Sequence, residues 1–232
     1  MQTLIITEKP SVAQAIAAVV GALARKDGYF EGNGYIVGWC LGHLAQLVSA
    51  EAYDPQFSRW RVADLPILPQ DWRYRVPQDK RRQFGILRGL MLRDDVTQVI
   101  NACDAGREGE LIYRNLYELV GCTKPTLRLW LNSMEDSEIR RALSDLRPGS
   151  DYDRLFAAAR CRERADWLVG INATRLLSVP YHRTLHPRRV VSPTLALLPR
   201  REARFGHLVP RSFPTAQLHP GPLSASCTLA TG

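Results

Sequence analysis

The chain has 232 residues, of which 45% are hydrophobic and 23% charged, a balance that excludes a disordered chain and allows one large domain, or one domain and part of a second. No run approaches the roughly 20 apolar residues of a membrane-spanning helix, and the opening MQTLIITEKPS has neither a basic leader nor a small-residue cleavage site, so a cytoplasmic location is expected. The formal charge of +8 is concentrated in residues 140–211, where fifteen arginines, no lysine and six acids suggest a polyanion-binding face; a solvated arginine-rich surface is the alternative.

In chain order, Leu4, Ile5 and Ile6 form the apolar run of a buried parallel strand. A helix follows from Pro10, with Val12, Ala15, Ile16 and Val19 at helical spacing, until Gly21 ends it. Residues 29–47 are short apolar runs punctuated by glycines, which predicts strands and tight turns. Residues 53–77 hold four prolines with Trp60 and Trp72 and read as an irregular excursion pinned by aromatic side chains. An amphipathic helix is predicted over 79–93, a strand over 97–102, then DAGREGE and a helix through Tyr117, a strand over 126–131 and a helix over 136–146. Alternating strands and helices predict an α/β fold with a doubly wound parallel sheet in residues 1–150. A boundary falls near 148–151. A long helix over about 152–178 then opens a mainly helical, arginine-rich segment, 151–232. The five cysteines are odd in number and scattered, which predicts reduced, buried thiols rather than a zinc site or disulfides.

Glu8 ends the first strand and Asp104 the strand over 97–102, so both project into the crevice beyond the strand carboxyl ends, where such sheets bind ligands. Glu108, at the start of the next helix, can turn back to the same point. Three converging carboxylates need a hard cation, and oxygen ligands with retained waters suit magnesium. Alternatively, Asp104 caps the helix while Glu108 and Glu110 favour its positive end without metal.

TEKPS, DAGREGELIYR and RERADWLVGINATR, together with YDPQFSRWRVADLPILP and WCLGHL, resemble the corresponding segments of the type IA DNA topoisomerases, nearest the topoisomerase III branch. The resemblance runs over nearly the whole chain. It implies that residues 1–150 are a Toprim domain and 151–232 part of a domain that grips DNA, single-stranded by expectation. It implies that Glu8 is a general acid or base on the ribose oxygen released during strand cleavage and that Lys9 stands near the scissile phosphate. Asp104 and Glu108 match metal-binding acids of the family's DxDxE pattern, with Gly106 in place of the middle acid, so weaker metal binding is expected. Arg107 either contacts a phosphate or pairs across its turn with Glu108 or Glu110. His43 resembles a family histidine near the crevice, with a structural role as the alternative.

In the long helix Arg160 and Arg164 share a face, with Arg175 further along, and all three are candidate phosphate contacts. Asp166 and Trp167 are expected to hold the helix in place, and Asn172 to bind either DNA or neighbouring backbone. LHPRRVVSPTLALL resembles the family's SxGRVQTPTLAL element and keeps Arg189, a further DNA contact, but Arg188 replaces a glycine and Val191 a glutamine. The family's nucleophilic tyrosine lies in a segment resembling GLITYMRTDS, which has no counterpart in these residues. The isolated chain is therefore expected to bind magnesium and DNA without cutting a strand, and to act with a tyrosine supplied by a further segment or a separate polypeptide. Two other readings stay open: a Toprim nuclease using metal directly, and a non-catalytic DNA-binding remnant.

Overall fold

A computed structural model of the chain describes residues 1–206, 215–218 and 225–228. β1 (Gln2–Thr7) leads into α1 (Pro10–Val20), which begins on a proline and ends where Gly21 takes the left-handed conformation, φ 78°. The glycine-rich stretch then forms an antiparallel meander of β2 (Ala24–Lys26), β3 (Tyr29–Gly32) and β4 (Tyr35–Trp39). The β3–β4 turn places Asn33 and Gly34 at φ 49° and 79°, as a two-residue hairpin connection requires. β5 (Gln46–Leu47) and β6 (Tyr74–Arg75) pair at the base of the excursion. α2 (Arg81–Leu92), β7 (Val96–Ala102), α3 (Arg107–Val120), β8 (Thr126–Arg128), α4 (Asp136–Ser144) and β9 (Arg147–Pro148) complete the α/β portion. Then come α5 (Asp153–Tyr181), α6 (Val191–Gly206) and the hairpin β10 (Thr215–Leu218) with β11 (Ala225–Thr228).

The main sheet has the order β2-β3-β4-β1-β7-β8-β9. Its centre, β4-β1-β7-β8, is parallel, as the strand and helix alternation predicts, whereas the β2–β3 and β9 edges are antiparallel. At the β2–β3 edge the glycine turns are too short for a crossover helix, whereas β9 follows α4 and runs back against β8. Side chains alternate across the sheet. Leu4, Ile6, Ile36 and Val99 face α2 and α3 through Leu87, Met91, Ile112 and Leu116. Ile5, Val37 and Ile100 face α1 and α4 through Ala13, Ile16 and Ile139.

One compact unit spans Met1–His186 and another Pro187–Gly232. α5 packs on α3 within the first unit, although the sequence pattern changes near 148–151. The excursion is pinned to α5, as its aromatic content predicts. The Trp167 indole N–H donates to Val48 O at 2.9 Å and its ring meets Tyr53 and Trp72 edge-on, with centroids 5.8 and 5.6 Å apart. Asn172 clamps Ile67, accepting from its N–H at 2.7 Å and donating to its carbonyl at 3.0 Å. Between the two roles open to Asn172 in sequence, the structure selects the backbone one. Cys40, Cys103 and Cys122 are buried, but Cys161 is exposed on α5; the side chain of Cys227 lies outside the described residues. Among those residues no helix is long and apolar enough to cross a membrane.

Candidate active site

β1 lies between β4 and β7, so the residues just past these three strands gather at one rim. Glu8 and Lys9 follow β1, Cys40 follows β4, and Cys103 and Asp104 follow β7. The Lys9 ammonium donates to Asp104 Oδ2 at 2.7 Å and stands 3.7 Å from Glu8 Oε1. Burial pushes the Glu8 carboxyl above its ordinary range, the negative charge of Asp104 adds to the shift, and Lys9 and His43 pull against it. Hydrogen bonding and charge from Asp104, then the charge of Glu8, raise the Lys9 ammonium. Asp104 does not cap α3, whose N-cap is Gly106 without a side-chain cap bond; its carboxylate serves the rim instead.

Glu108 turns to His43, with His43 Nε2 and Glu108 Oε1 2.5 Å apart. The His43 turn is held by Lys80, which donates to the carbonyls of Leu41 and His43 at 3.0 and 2.8 Å, and Gly42 supplies the φ of 66° the turn needs. The acids grouped by sequence thus divide: Glu8 and Asp104 share Lys9, and Glu108 is paired alongside. Among the described residues no three His, Cys, Asp or Glu side chains form a ready metal cage. Arg107 is exposed in the first turn of α3.

Sequence reasoning passed over three supports of this rim. Gly109 lets α3 close on the Asp104 backbone: a Cβ there would lie 2.1 Å from Asp104 O and 2.8 Å from its N. Arg128, 1% exposed, donates to the carbonyls of Asn101, Cys103, Asp104 and Leu129 at 2.8 to 3.0 Å. Glu110, also 1% exposed, is the counter-ion of Arg128 at 3.2 Å and accepts from Arg114 Nε at 2.9 Å. Desolvation lowers the Arg128 pKa despite the charge of Glu110. A signal existed for two of them: a glycine inside a helix pattern needs a reason, and so does an arginine between the leucines of a buried strand.

A groove of about 400 Å3 runs from His43 and Glu108 past Leu111 and Ala159 to Arg162, Asp166 and Trp167. The arginine that lines it is Arg162, 3.8 Å from Asp166, not the pair chosen from sequence. Arg160 stacks over Phe156 at 4.6 Å and stands 3.5 Å from Glu118, and Arg164 lies over the Trp72 ring at 5.1 Å. For Arg175 the DNA role gives way to packing, because it is 2% exposed, bonded to Glu51 at 3.0 Å and set over Trp60. Arg189 belongs to the Pro187–Gly232 unit. Arginines occur all round the first half of α5, so spacing shows which of them share a face but not which face is buried.

Comparison with known proteins sets these features in a family. Residues 3–134 match the Toprim domain and residues 150–221 the DNA topoisomerase domain. DNA topoisomerase 3 of Bacillus subtilis (strain 168) is 41% identical over 209 residues, covering 90% of this chain and 29% of the relative. The Bacillus anthracis protein of that name is 42% identical, with 87% and 28% covered, and that of Staphylococcus saprophyticus 40%, with 98% and 32% covered. The chain thus spans about three tenths of the length of these curated relatives. Full-length topoisomerase I from Thermotoga maritima superposes with a TM-score of 0.64 over 96% of this chain and 34% of that one, at 22% identity, a likeness of fold. Toprim domains bind divalent metal. With the Toprim match covering more than half of its residues, this chain belongs to the Toprim domain family, and the DNA topoisomerase match follows it in the chain.

Proposed function

We propose that residues 1–150 act as the Toprim domain of a topoisomerase 3-like enzyme and residues 151–232 as the beginning of its DNA-gripping domain, serving single-strand cleavage, strand passage and rejoining in the complete enzyme. The observation that carries this reading is the meeting of Glu8, Lys9 and Asp104 at one sheet rim beside a groove lined by Arg162. A carboxyl raised by burial exchanges a proton with a ribose oxygen at neutral pH more readily than an ordinary one. Lys9 supplies positive charge for a phosphate, and Arg162, with Arg107, Arg160 and Arg164 as flanking contacts, follows the backbone of single-stranded DNA; Arg189 is a separate candidate contact on the second unit. The attacking tyrosine would come from a further segment or a separate polypeptide.

Glu8 and Asp104, with Glu108 once released from His43, would hold magnesium. The residues fit, since magnesium commonly takes one or two carboxylates and leaves its other positions to water and phosphate, and Glu8 and Asp104 stand close enough for the charge of Asp104 to add to the rise that burial causes in Glu8. The ion would stabilise charge on phosphate oxygens. At Gly106, whose backbone is extended at φ 162°, a Cβ would meet nothing within 4 Å. Gly106→Asp is therefore expected to bind Mn2+ about tenfold more tightly by calorimetry, since a further carboxylate joins the set; unchanged affinity would show that this loop does not face the ion.

Titration of a fluorescent single-stranded oligonucleotide against salt tests the DNA face. Affinity should fall as salt rises, and Arg162→Ala should reduce the slope of log K against log salt by about 0.7, one phosphate contact on a single strand. Arg175→Ala should lower thermal stability and leave the slope alone. A reduced slope in Arg175→Ala with none in Arg162→Ala would reverse the assignment. Magnesium-dependent nicking of plasmid by the chain alone would favour the nuclease reading.

A further inference from the structure

The carboxylate rim is made of two unlike halves. Glu8 and Lys9 follow the central strand, whereas Asp104 stands on a turn between β7 and α3, and the carbonyls of that turn are gathered by Arg128. Arg128 is itself held by one carboxylate. Glu110 Oε2 lies 3.2 Å from Arg128 Nε, without an aligned N–H, and accepts a hydrogen bond from Asn101 Nδ2 at 2.9 Å. The other Glu110 oxygen accepts from Arg114 Nε at 2.9 Å. Arg114 then reaches out of the α/β layer, donating to Gly149 O at 2.7 Å and to Asp153 Oδ1, at the first residue of α5, at 2.6 Å. These contacts form a continuous chain of charge from the start of α5 to the carbonyl of Asp104.

An ion network this deep is a costly way to stabilise a fold, because desolvation offsets most of the attraction and apolar side chains of similar volume often do as well. What it supplies is direction. A guanidinium that donates to four carbonyls fixes the turn only while its own plane is fixed, and Glu110 is the one carboxylate that the described structure places against it. Partners of this kind behind a metal ligand set the ligand's pose and change affinity without touching the ion.

We propose that Glu110 is a positioning residue for the candidate active site: through Arg128 it sets the pose of Asp104, and through Arg114 it ties that pose to the start of α5. This deepens the metal-site reading above and rests on it for its consequence in binding, but not for its consequence in the metal-free protein.

The experiment uses the full chain and two readouts, amide hydrogen exchange across residues 103–109 without metal and Mn2+ affinity by calorimetry. Glu110→Gln keeps the shape and removes the charge. It should speed exchange across the turn about tenfold relative to β1 and weaken Mn2+ by at least tenfold, within the range such partners show. Arg128→Lys keeps a charge for Glu110 but cannot serve four carbonyls together, so it should reproduce the faster exchange in a folded protein, and it decides the matter should Glu110→Gln fail to fold. Arg114→Gln, which leaves the Glu110–Arg128 pair in place, should give a smaller change of the same sign. An Ile112→Val control of comparable stability loss should leave both readouts as in the native chain. Native-like exchange across 103–109 in Glu110→Gln, or in Arg128→Lys if that is the variant that folds, would overturn the proposal. Absence of Mn2+ binding by the unaltered chain would instead remove the metal-site reading, with the exchange comparison still deciding the role of Glu110.

Discussion

Gly109→Ala should be the most damaging glycine-to-alanine change among the described residues. The new Cβ would sit 2.1 Å from the Asp104 carbonyl oxygen and 2.8 Å from its amide nitrogen. Both are backbone atoms, so no rotamer change relieves the contact, and either α3 must withdraw or the Asp104 turn must move. Added bulk in a packed site costs about 1–3 kcal/mol, and the upper end applies here. For a unit of this size that corresponds to a fall of roughly 6–12 °C in Tm. Metal-induced stabilisation should vanish with it, because the displaced turn carries Asp104. Gly85 and Gly89 in α2 provide the comparison. A Cβ at either meets nothing within 4 Å, so Gly85→Ala and Gly89→Ala should each stabilise the chain by about 0.5–1 kcal/mol, the cost of glycine inside a helix. Differential scanning calorimetry of the three variants checks the contrast; equal effects would show that Gly109 serves no close approach.

Asn172→Ala should cost about 2–4 kcal/mol. The side chain makes a two-point clamp on the backbone of Ile67, a residue only 3% exposed. Truncation therefore leaves a buried donor and acceptor without partners, at about 1–3 kcal/mol each before relaxation. The loss should be local as well as global. With one of its fastenings gone, the 53–77 excursion should be cut by protease at lower enzyme concentrations than in the native chain, while residues in the main sheet stay protected. DNA affinity extrapolated to low salt should change little, since Asn172 faces the excursion. Wild-type proteolysis with reduced DNA binding would return Asn172 to the DNA interface.

The sequence makes the rim legible because its logic is local. An acid directly after an apolar strand can only lie at the carboxyl end of that strand, and two such strands adjacent to each other put Glu8 and Asp104 together. The supports behind the rim are not legible in this way. Arg128 occurs in TLRLW, where the local pattern offers a strand but not the partner that neutralises a buried charge, since Glu110 comes from another element. Glu110 itself follows Glu108 by two residues and looks like a second favourable charge at a helix N-terminus. Only the rotation of α3 decides that one points to the crevice and the other into the core. The burial of Arg175 and the groove position of Arg162 escape the sequence for the same reason: facing is set by packing, and α5 carries too many arginines for periodicity to announce it.

The place of β1 in the sheet has one more consequence. Thr7, the residue before Glu8, is fully buried, its strand is laddered on both sides, and its carbonyl accepts from the Cys40 amide at 2.7 Å. Shifting Glu8 would mean breaking the heart of the fold, whereas Asp104 can be retuned from the helix layer. The centre works like a vice with one fixed jaw, so substitutions that adjust its grip will be found on the β7 to α3 side.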